Sequence, residues 1–178
     1  MDFKRKLKKL IKMPYYFLLS RLNREKYAKK LGVNFGKNCR FYGNIHWNTE
    51  PWIITLGNNV HITNEVDFVT HDGATLLFRD REPTLELTRP ITIGDNVYIG
   101  TRSIILGGVN IGNNVIIGAG SVVTHDIPDN SVAVGVPAKV IKTAEEYFEK
   151  AKEQSLGLGH LKYEEKDKAL KEYYGYKK

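Results

Sequence analysis

The sequence predicts an all-β core built as a parallel β-helix, with α-helical segments before and after it. Three features of the chain lead to this prediction: a six-residue repeat from residue 93 to 128, a basic amphipathic arm at the amino terminus, and a charged helical pattern near the carboxyl terminus. A chain of 178 residues is long enough for one domain with short appendages. We place the helical arm at residues 1–31, the β-helix at 32–142 and the helical tail at 143–178.

The repeat is read from an aliphatic residue at every sixth position and a small or branched residue four places later. The first set is Ile93, Ile99, Ile105, Ile111, Ile117 and Val123, and the second is Val97, Ser103, Val109, Val115, Ser121 and Ile127. A period of six fits a coil whose short strands are separated by corners, where Gly and Asn supply positive φ angles. Three such hexads form one triangular coil, and stacked coils lie about 4.8 Å apart through parallel ladder hydrogen bonds.

The same frame extends upstream, although two interruptions break it. The upstream hexads begin at Phe35, Phe41, Trp47, Leu56, Ile62 and Phe68, with Cys39, Ile45, Val60 and Val66 at fifth positions. The total is twelve hexads, or about four coils. A short interruption contains Pro51 and Trp52, and a longer excursion loop covers residues 73–91. A β-sandwich with short, evenly spaced strands is the alternative, and six consecutive hexads in phase argue against it.

The basic charge of the protein is concentrated in the amino-terminal arm. Residues 1–30 carry eleven of the 27 basic residues and two of the 20 acidic ones, so the rest of the chain is near neutral. We therefore predict no nucleic-acid partner. The apolar residues of its first part recur at helical spacing: Phe3, Leu7, Leu10 and Ile11. Pro14 is expected to end or kink that helix. The apolar run of the arm is too short to span a bilayer. The arm fits either an anionic membrane surface or a protein surface.

The run "ITIGDNVYIG…IGAGSVVTHDIPDNSVAVGVPAKVIK" resembles the hexapeptide-repeat acyltransferases, because the repeat phase, the terminal proline and the basic residues agree. The resemblance covers residues 33–142 and implies a left-handed coil, which the period of six does not establish. Galactoside and maltose acetyltransferases, xenobiotic acetyltransferases and the O-acetyltransferases of bacterial polysaccharide assembly are the most similar groups. The stretch "THDGATLLFRD" favours the last group. The family implies a homotrimer that holds acetyl-CoA in a groove between subunits.

The four letters "VTHD" occur twice, at residues 69–72 and 123–126. His71 is the fourth residue of its hexad and His125 the third, so the two copies are out of phase. His71 stands where the regular coil gives way to the loop, and the family's catalytic histidine immediately precedes such a loop. We therefore predict that His71 is the general base, for which an ordinary imidazole pKa near 6.5 is suited. A corner histidine bonded to the backbone is the alternative for His71, and His125 is expected to be solvated or near the cofactor.

Acetyl-CoA needs donors for the oxyanion, a channel for the pantetheine arm and cations for its phosphates. The resemblance implies Thr101 against the thioester and Ala119 and Thr124 beside the pantetheine arm. It also implies Lys139 and Lys142 near the phosphates. A solvated lysine pair on the last coil is the alternative for these two residues.

The sugar acceptor is expected to contact the excursion loop and the interruption near Trp52. The candidate substrate-binding residues, which can hydrogen-bond or stack on a sugar, are Asp72, Arg79, Trp47, Trp52 and Tyr98; a solvated charged loop is the alternative. The group that orients His71 is left open among Asp72, Glu65, Asp67 and a backbone carbonyl. Because the five histidines include no closely spaced pair and Cys39 is the single cysteine, no metal site is predicted.

Together these features predict a cytoplasmic, trimeric, acetyl-CoA-dependent O-acetyltransferase that acts on a sugar, in surface polysaccharide biosynthesis. The acceptor is a small-molecule or lipid-linked sugar, and residues 1–30 are a candidate for peripheral contact with the inner face of the membrane. The alternatives are a xenobiotic or antibiotic acetyltransferase, an amino-sugar N-acetyltransferase and a non-catalytic β-helix scaffold. His71 favours the enzymes over the scaffold.

Overall fold

The computed structural model describes residues 14–176, which form two compact units that divide between Ala144 and Glu145. The amphipathic helix predicted for residues 3–11 lies outside the described residues, and so does its expected end before Pro14. The predicted domain boundaries at residues 31 and 142 stay predictions.

Within the described residues, two helices precede the coil: α1 at residues 14–22 and α2 at Arg24–Leu31. Asn23 begins α2, because its side-chain oxygen accepts a hydrogen bond from the Lys26 N–H at 2.8 Å. The helix ends at Gly32, which has a φ of +104° that favours glycine. Ala28 on the inner side of α2 is fully buried, so this helix covers the end of the coil's core.

Twelve two- to four-residue strands wind the chain into four triangular coils. They are β1 Asn34–Phe35, β2 Arg40–Phe41, β3 Ile45–His46, β4 Ile54–Leu56, β5 His61–Ile62, β6 Val66–Val69, β7 Ile91–Ile93, β8 Tyr98–Ile99, β9 Ile104–Leu106, β10 Asn110–Ile111, β11 Ile116–Ile117 and β12 Val122–Val123. Every third strand pairs in parallel, which gives sheet A (β1, β4, β7, β10), sheet B (β2, β5, β8, β11) and sheet C (β3, β6, β9, β12). Strand β13, Ser131–Val134, extends sheet B in parallel, and β14, Lys139–Thr143, closes it in the antiparallel sense.

The residue offset between paired strands increases at each interruption of the repeat. Thr92 pairs with Asn110, an offset of 18 residues, which is three hexads. Asn34 pairs with Thr55, an offset of 21, because the 3-10 helix Pro51–Ile53 interrupts that coil. Thr55 pairs with Thr92, an offset of 37, because the excursion loop leaves the coil at that level. The loop therefore departs from the stack without breaking the pairing above and below it.

The hexad positions predicted to point inward form the core. From Ile93 to Ile127 every one of them is at most 5% exposed, including Ser103 and Ser121. The hydroxyls of these two serines are hydrogen-bonded although buried, because each donates to a backbone carbonyl less than 3 Å away. Upstream, Phe35 is half-buried and the other predicted core positions are buried. The parallel coil is therefore confirmed, whereas its left hand stays a prediction from the family.

Stacked asparagines hold one corner of the coil. Asn59, Asn96, Asn114 and Asn130 all have φ angles of +54° to +57°, a conformation that asparagine tolerates better than other side chains with a Cβ. Their side-chain amides bond to one another from coil to coil at 2.9–3.1 Å. The repeated Asn thus satisfies the backbone requirement of the corner and links successive coils.

The second unit contains most of α3, Ala144–Glu153, and all of α4, Tyr163–Tyr173. Helices are therefore present before and after the coil along the chain. Among residues 14–176, none of the helices has the length and apolar character needed to cross a bilayer.

Candidate active site

His71 lies two residues after the end of β6, at the corner where the excursion loop leaves sheet C. The loop begins with the 3-10 helix Gly73–Phe78, which Asp72 caps by accepting from the Ala74 N–H at 2.9 Å. The returning end of the loop runs antiparallel to the departing end, because Arg89 N–H donates to Thr70 O at 2.8 Å and Asp72 N–H donates to Leu87 O at 2.9 Å. These backbone bonds fix both ends of the loop beside His71.

A cavity of about 480 Å³ opens at this corner. It is lined by the end of β6, both ends of the loop and the ends of two later strands in sheet C: Val69, Thr70, His71, Asp72, Gly73, Leu87, Arg89, Leu106, Gly107 and Thr124. A volume of this size lies in the range that small-molecule sites occupy. His71 therefore has a concave space beside it that is large enough for a substrate.

Glu50 is the carboxylate that bonds to His71, whose Nδ1 also lies 3.3 Å from the Thr49 hydroxyl. Its Oε2 lies 2.9 Å from His71 Nδ1 and accepts a second hydrogen bond, of 2.7 Å, from the Thr70 hydroxyl. The Glu50 side chain is 24% exposed and that of His71 is 37% exposed, so the pair is partly screened by solvent. Because Thr70 is fully buried, the carboxylate is held from the core side as well as by the imidazole.

The pKa of Glu50 is lowered from its ordinary value by hydrogen bonds from Thr49, Thr70 and His71, which together outweigh the opposing effect of burial. A carboxylate accepts hydrogen bonds and donates none, so the His71 Nδ1 carries the proton that lies between them. The neutral ring then has its lone pair on Nε2, and within residues 14–176 this nitrogen has no hydrogen-bond partner. The arrangement can accept a proton at Nε2 and stabilise the resulting imidazolium through Glu50.

The acidic residues that the sequence suggested for this role have other partners. Asp67 bonds to His46 at 2.7 Å, and Glu65 accepts from Arg102 at 2.6 Å. Asp72 lines the cavity but uses its carboxylate to cap the loop helix. Sequence reasoning missed Glu50 altogether. The usable signal is the register of β3 and β6, which pairs residues 21 apart and so places Glu50 beside His71.

The predicted cofactor residues lie on two different corners of the prism. Thr124 lines the cavity with His71, at the corner that follows sheet C. Thr101 and Ala119 lie at the corner that precedes sheet C, where the Thr101 hydroxyl donates to Thr63 at 3.2 Å. Lys139 and Lys142 lie on β14. One chain therefore brings together His71, Asp72 and Thr124, and it does not bring Thr101 or Ala119 to them.

Most of the predicted acceptor residues lie outside the cavity wall. Trp47 is 4% exposed and stacks on Phe68 at 5.0 Å between ring centroids, so it is a core residue and the expectation that it stacks on a sugar is corrected. Trp52 is 60% exposed on the 3-10 helix Pro51–Ile53, and Tyr98 is 44% exposed on β8. Arg79 donates to Glu86 at 3.0 Å within the loop. The cavity wall instead contains Arg89, which sequence reasoning did not single out.

Across residues 14–176, no cluster of three or more His, Cys, Asp or Glu side chains has a geometry suited to a metal ion. The single cysteine, Cys39, is buried in the core, and burial raises the pKa of its thiol. His71 lines the cavity, and Glu50 bonds to its Nδ1 at 2.9 Å without lining the cavity itself.

Comparison with known proteins gives a consistent result. The family described as "Bacterial transferase hexapeptide (six repeats)" matches residues 90–125. "Protein CapG" of Staphylococcus aureus is 47% identical over 151 residues, which are 84% of this chain and 88% of that protein. Galactoside O-acetyltransferase of Escherichia coli is 39% identical over 111 residues, which are 62% of this chain and 53%, about half, of that protein.

Two solved structures resemble the chain over most of its length. The crystal structure of a maltose O-acetyltransferase from Clostridium difficile 630 has a TM-score of 0.54 at 30% identity and covers 80% of this chain and 89% of its own. A galactoside acetyltransferase in complex with coenzyme A has a TM-score of 0.55 at 28% identity, with 84% and 86% covered.

Proposed function

The chain belongs to the bacterial hexapeptide transferases, and from this membership we propose that it is an acetyl-CoA-dependent O-acetyltransferase that acetylates a hydroxyl group of a sugar. The observation that carries the proposal is His71 in the wall of a cavity of about 480 Å³, with the Glu50 carboxylate 2.9 Å from its Nδ1. The likeness to sugar O-acetyltransferases, one of them bound to coenzyme A, supports both the acceptor class and the acyl donor. We place the reaction in surface polysaccharide biosynthesis, in agreement with the sequence of the excursion loop.

In the proposed reaction, His71 Nε2 takes the proton of the acceptor hydroxyl while the oxygen attacks the acetyl carbonyl carbon. Glu50 keeps Nδ1 protonated and stabilises the imidazolium as its charge develops. The C–S bond then breaks, and the imidazolium returns its proton to the departing thiolate. The base is therefore regenerated in the tautomer with which it started.

The active form is proposed to be a trimer, because the predicted residues for one acyl donor are split between two corners of the chain. Thr101 and Ala119 lie before sheet C, and His71 and Thr124 lie after it. A groove formed by the first corner of one subunit and the second corner of its neighbour brings the two groups together. Light scattering on the purified chain should give a trimer mass, and a monomer that retains full activity would contradict this arrangement.

The proposed location is the cytoplasm, with contact at the inner face of the membrane when the acceptor is lipid-linked. Helix α1 exposes two leucines, Leu18 at 56% and Leu22 at 75%, within the basic arm of the sequence. Such a surface is suited to anionic lipid. Vesicles containing anionic lipid should sediment the wild-type chain but release a Leu18→Glu, Leu22→Glu double variant, and equal sedimentation would exclude this contact.

The function itself is tested by CoA release from acetyl-CoA with a panel of sugars and amino sugars. His71→Ala should lower turnover by about 10²–10⁴-fold, which is the usual contribution of a general base. His46→Ala is a matched control, because its Nδ1 also bonds to a carboxylate, Asp67 Oδ1 at 2.7 Å, but it lies outside the cavity lining. Acetylation restricted to amines would favour N-acetylation. Turnover that is the same in wild type and His71→Ala would contradict the assignment.

A further inference from the structure

Arg89 occupies the wall of the His71 cavity, at the point where the excursion loop rejoins the coil. Its backbone is fixed by the 2.8 Å bond from its N–H to Thr70 O. Its side chain lies over Gly108, where an added Cβ would meet Arg89 Cδ at 3.1 Å. Gly108 also has a φ of +90°, a conformation that disfavours other residues. The glycine thus leaves the room in which the arginine side chain lies.

The guanidinium of Arg89 has different surroundings from those of Arg79 in the excursion loop and Arg102 in the coil. Arg79 pairs with Glu86 at 3.0 Å, and Arg102 pairs with Glu65 at 2.6 Å. Arg89 has no carboxylate within 4.0 Å among the described residues 14–176. An exposed cation of this kind keeps its fork of N–H donors available for an incoming anion.

We infer that Arg89 makes this site selective for an acceptor that carries an anionic group, a carboxylate or a phosphate, close to the hydroxyl that is acetylated. The inference rests on the proposed function and adds the class of acceptor to it. A planar guanidinium binds carboxylate and phosphate oxygens through two parallel hydrogen bonds, which gives orientation as well as affinity. The acceptor is thereby held by Arg89 at its anionic group and by His71 Nε2 at its hydroxyl.

The position of Arg89 favours the acceptor over the acyl donor as the source of the anion. Arg89 and His71 line one cavity of about 480 Å³, so the anion that Arg89 binds lies close to the reacting hydroxyl. The phosphates of acetyl-CoA are separated from its thioester by the long pantetheine arm. When the thioester is at His71, those phosphates lie well away from this cavity.

The test compares neutral and anionic sugars of the same stereochemistry: methyl galactoside, methyl galacturonide and galactose 1-phosphate. Wild type should have a higher kcat/KM with at least one anionic sugar than with methyl galactoside. Arg89→Gln should lower that anionic value by about 10–100-fold, the loss expected for a charge-assisted hydrogen bond. It should change the value for methyl galactoside by less than about 3-fold. Arg89→Lys should have a kcat/KM for the anionic sugar between those of wild type and Arg89→Gln, because lysine keeps the charge without the fork of N–H donors.

Arg40→Gln is the matched control, since Arg40 is exposed on β2 in sheet B and lies outside the cavity lining. Equal losses with neutral and anionic sugars in Arg89→Gln would overturn the inference. So would a change confined to the KM for acetyl-CoA, which would make the donor's phosphates the ligand.

Calorimetric binding of the same sugars separates this inference from the proposed reaction. The anionic sugar should bind to wild type and to His71→Ala, and its affinity should fall in Arg89→Gln. Wild type that binds neither anionic sugar more tightly than methyl galactoside would overturn the inference, whether or not turnover is observed. Normal binding without CoA release would instead contradict the proposed function and leave the role of Arg89 intact.

Discussion

Replacing Glu50 by Gln should slow acetyl transfer while leaving the fold in place. The change keeps the size of the side chain but removes the charge that holds His71 Nδ1 at 2.9 Å. The amide offers an oxygen or an NH2 group to the ring, so the imidazole loses the partner that fixes its tautomer. The variant therefore tests whether Glu50 positions His71 for proton transfer.

The size of the effect follows from the two hydrogen bonds that end on Glu50 Oε2. A hydrogen bond to a charged group contributes about 1.5–3 kcal/mol, which corresponds to roughly 10–150-fold in rate. The side chains of Glu50 and His71 are 24% and 37% exposed, and solvent screening reduces the value for such a pair. We therefore expect kcat to fall by about 10–100-fold, with a smaller change in the KM of the acceptor.

The informative measurements are the split between kcat and the KM of the acceptor, and the recovery of kcat by a conservative variant. Glu50→Asp should recover part of the rate, since it restores the charge at a shorter reach. The matched control is Asp67→Asn, which removes a second His–carboxylate pair, with His46 at 2.7 Å, that lies outside the cavity lining.

An unchanged kcat in Glu50→Gln would refute this reasoning. The same conclusion would follow if Asp67→Asn reduced kcat as much as Glu50→Gln does. Circular dichroism of each variant separates loss of the fold from loss of the base.

Three further predictions concern stability. The first concerns Glu50, whose pKa is lowered in the folded chain. Its charge therefore stabilises the fold above the ordinary glutamate pKa, and this contribution is lost as pH falls through the lowered value. Urea titrations should show the unfolding free energies of wild type and Glu50→Gln converging as the pH is lowered. Asn114→Ala should cost about 1–2 kcal/mol in unfolding free energy, because alanine disfavours the φ of +55°, whereas Asn114→Gly should cost less. Phe68→Ala should cost about 3–5 kcal/mol in the same assay, because Phe68 is fully buried against Trp47.

The architecture was predictable because the coil depends on a period that is visible in the sequence. Each inward position needs an apolar or small residue, and the positions from Ile93 to Ile127 satisfy this at every step and are buried. The same frame already placed Trp47 at the head of a hexad, an inward position. Its assignment to the acceptor site conflicted with the frame, and the structure resolves the conflict in favour of the core.

The contents of the candidate site were less predictable, because they depend on which residues the coils stack above one another. An uninterrupted coil pairs residues 18 apart, as between Thr92 and Asn110. The coil that contains Glu50 pairs residues 21 apart, as between Ile45 and Val66, because of the 3-10 helix Pro51–Ile53. An offset of 18 directs attention to the wrong residue. The partner of His71 thus follows from the length of an insertion, which no motif reports.

The two copies of "VTHD" show how far this dependence on stacking extends. The registers from β6 to β9 and from β9 to β12 add 37 and 18 residues, so His71 is in line with Asp126 and not with His125. The residue 18 positions before His125, in the register of β9 and β12, is Gly107, which has no side chain to offer. His71 has Glu50 one coil earlier, at 2.9 Å. Identical local sequences therefore provide a polarised imidazole in one copy and a solvated one in the other, because the neighbouring coil supplies a carboxylate to the first and a glycine to the second.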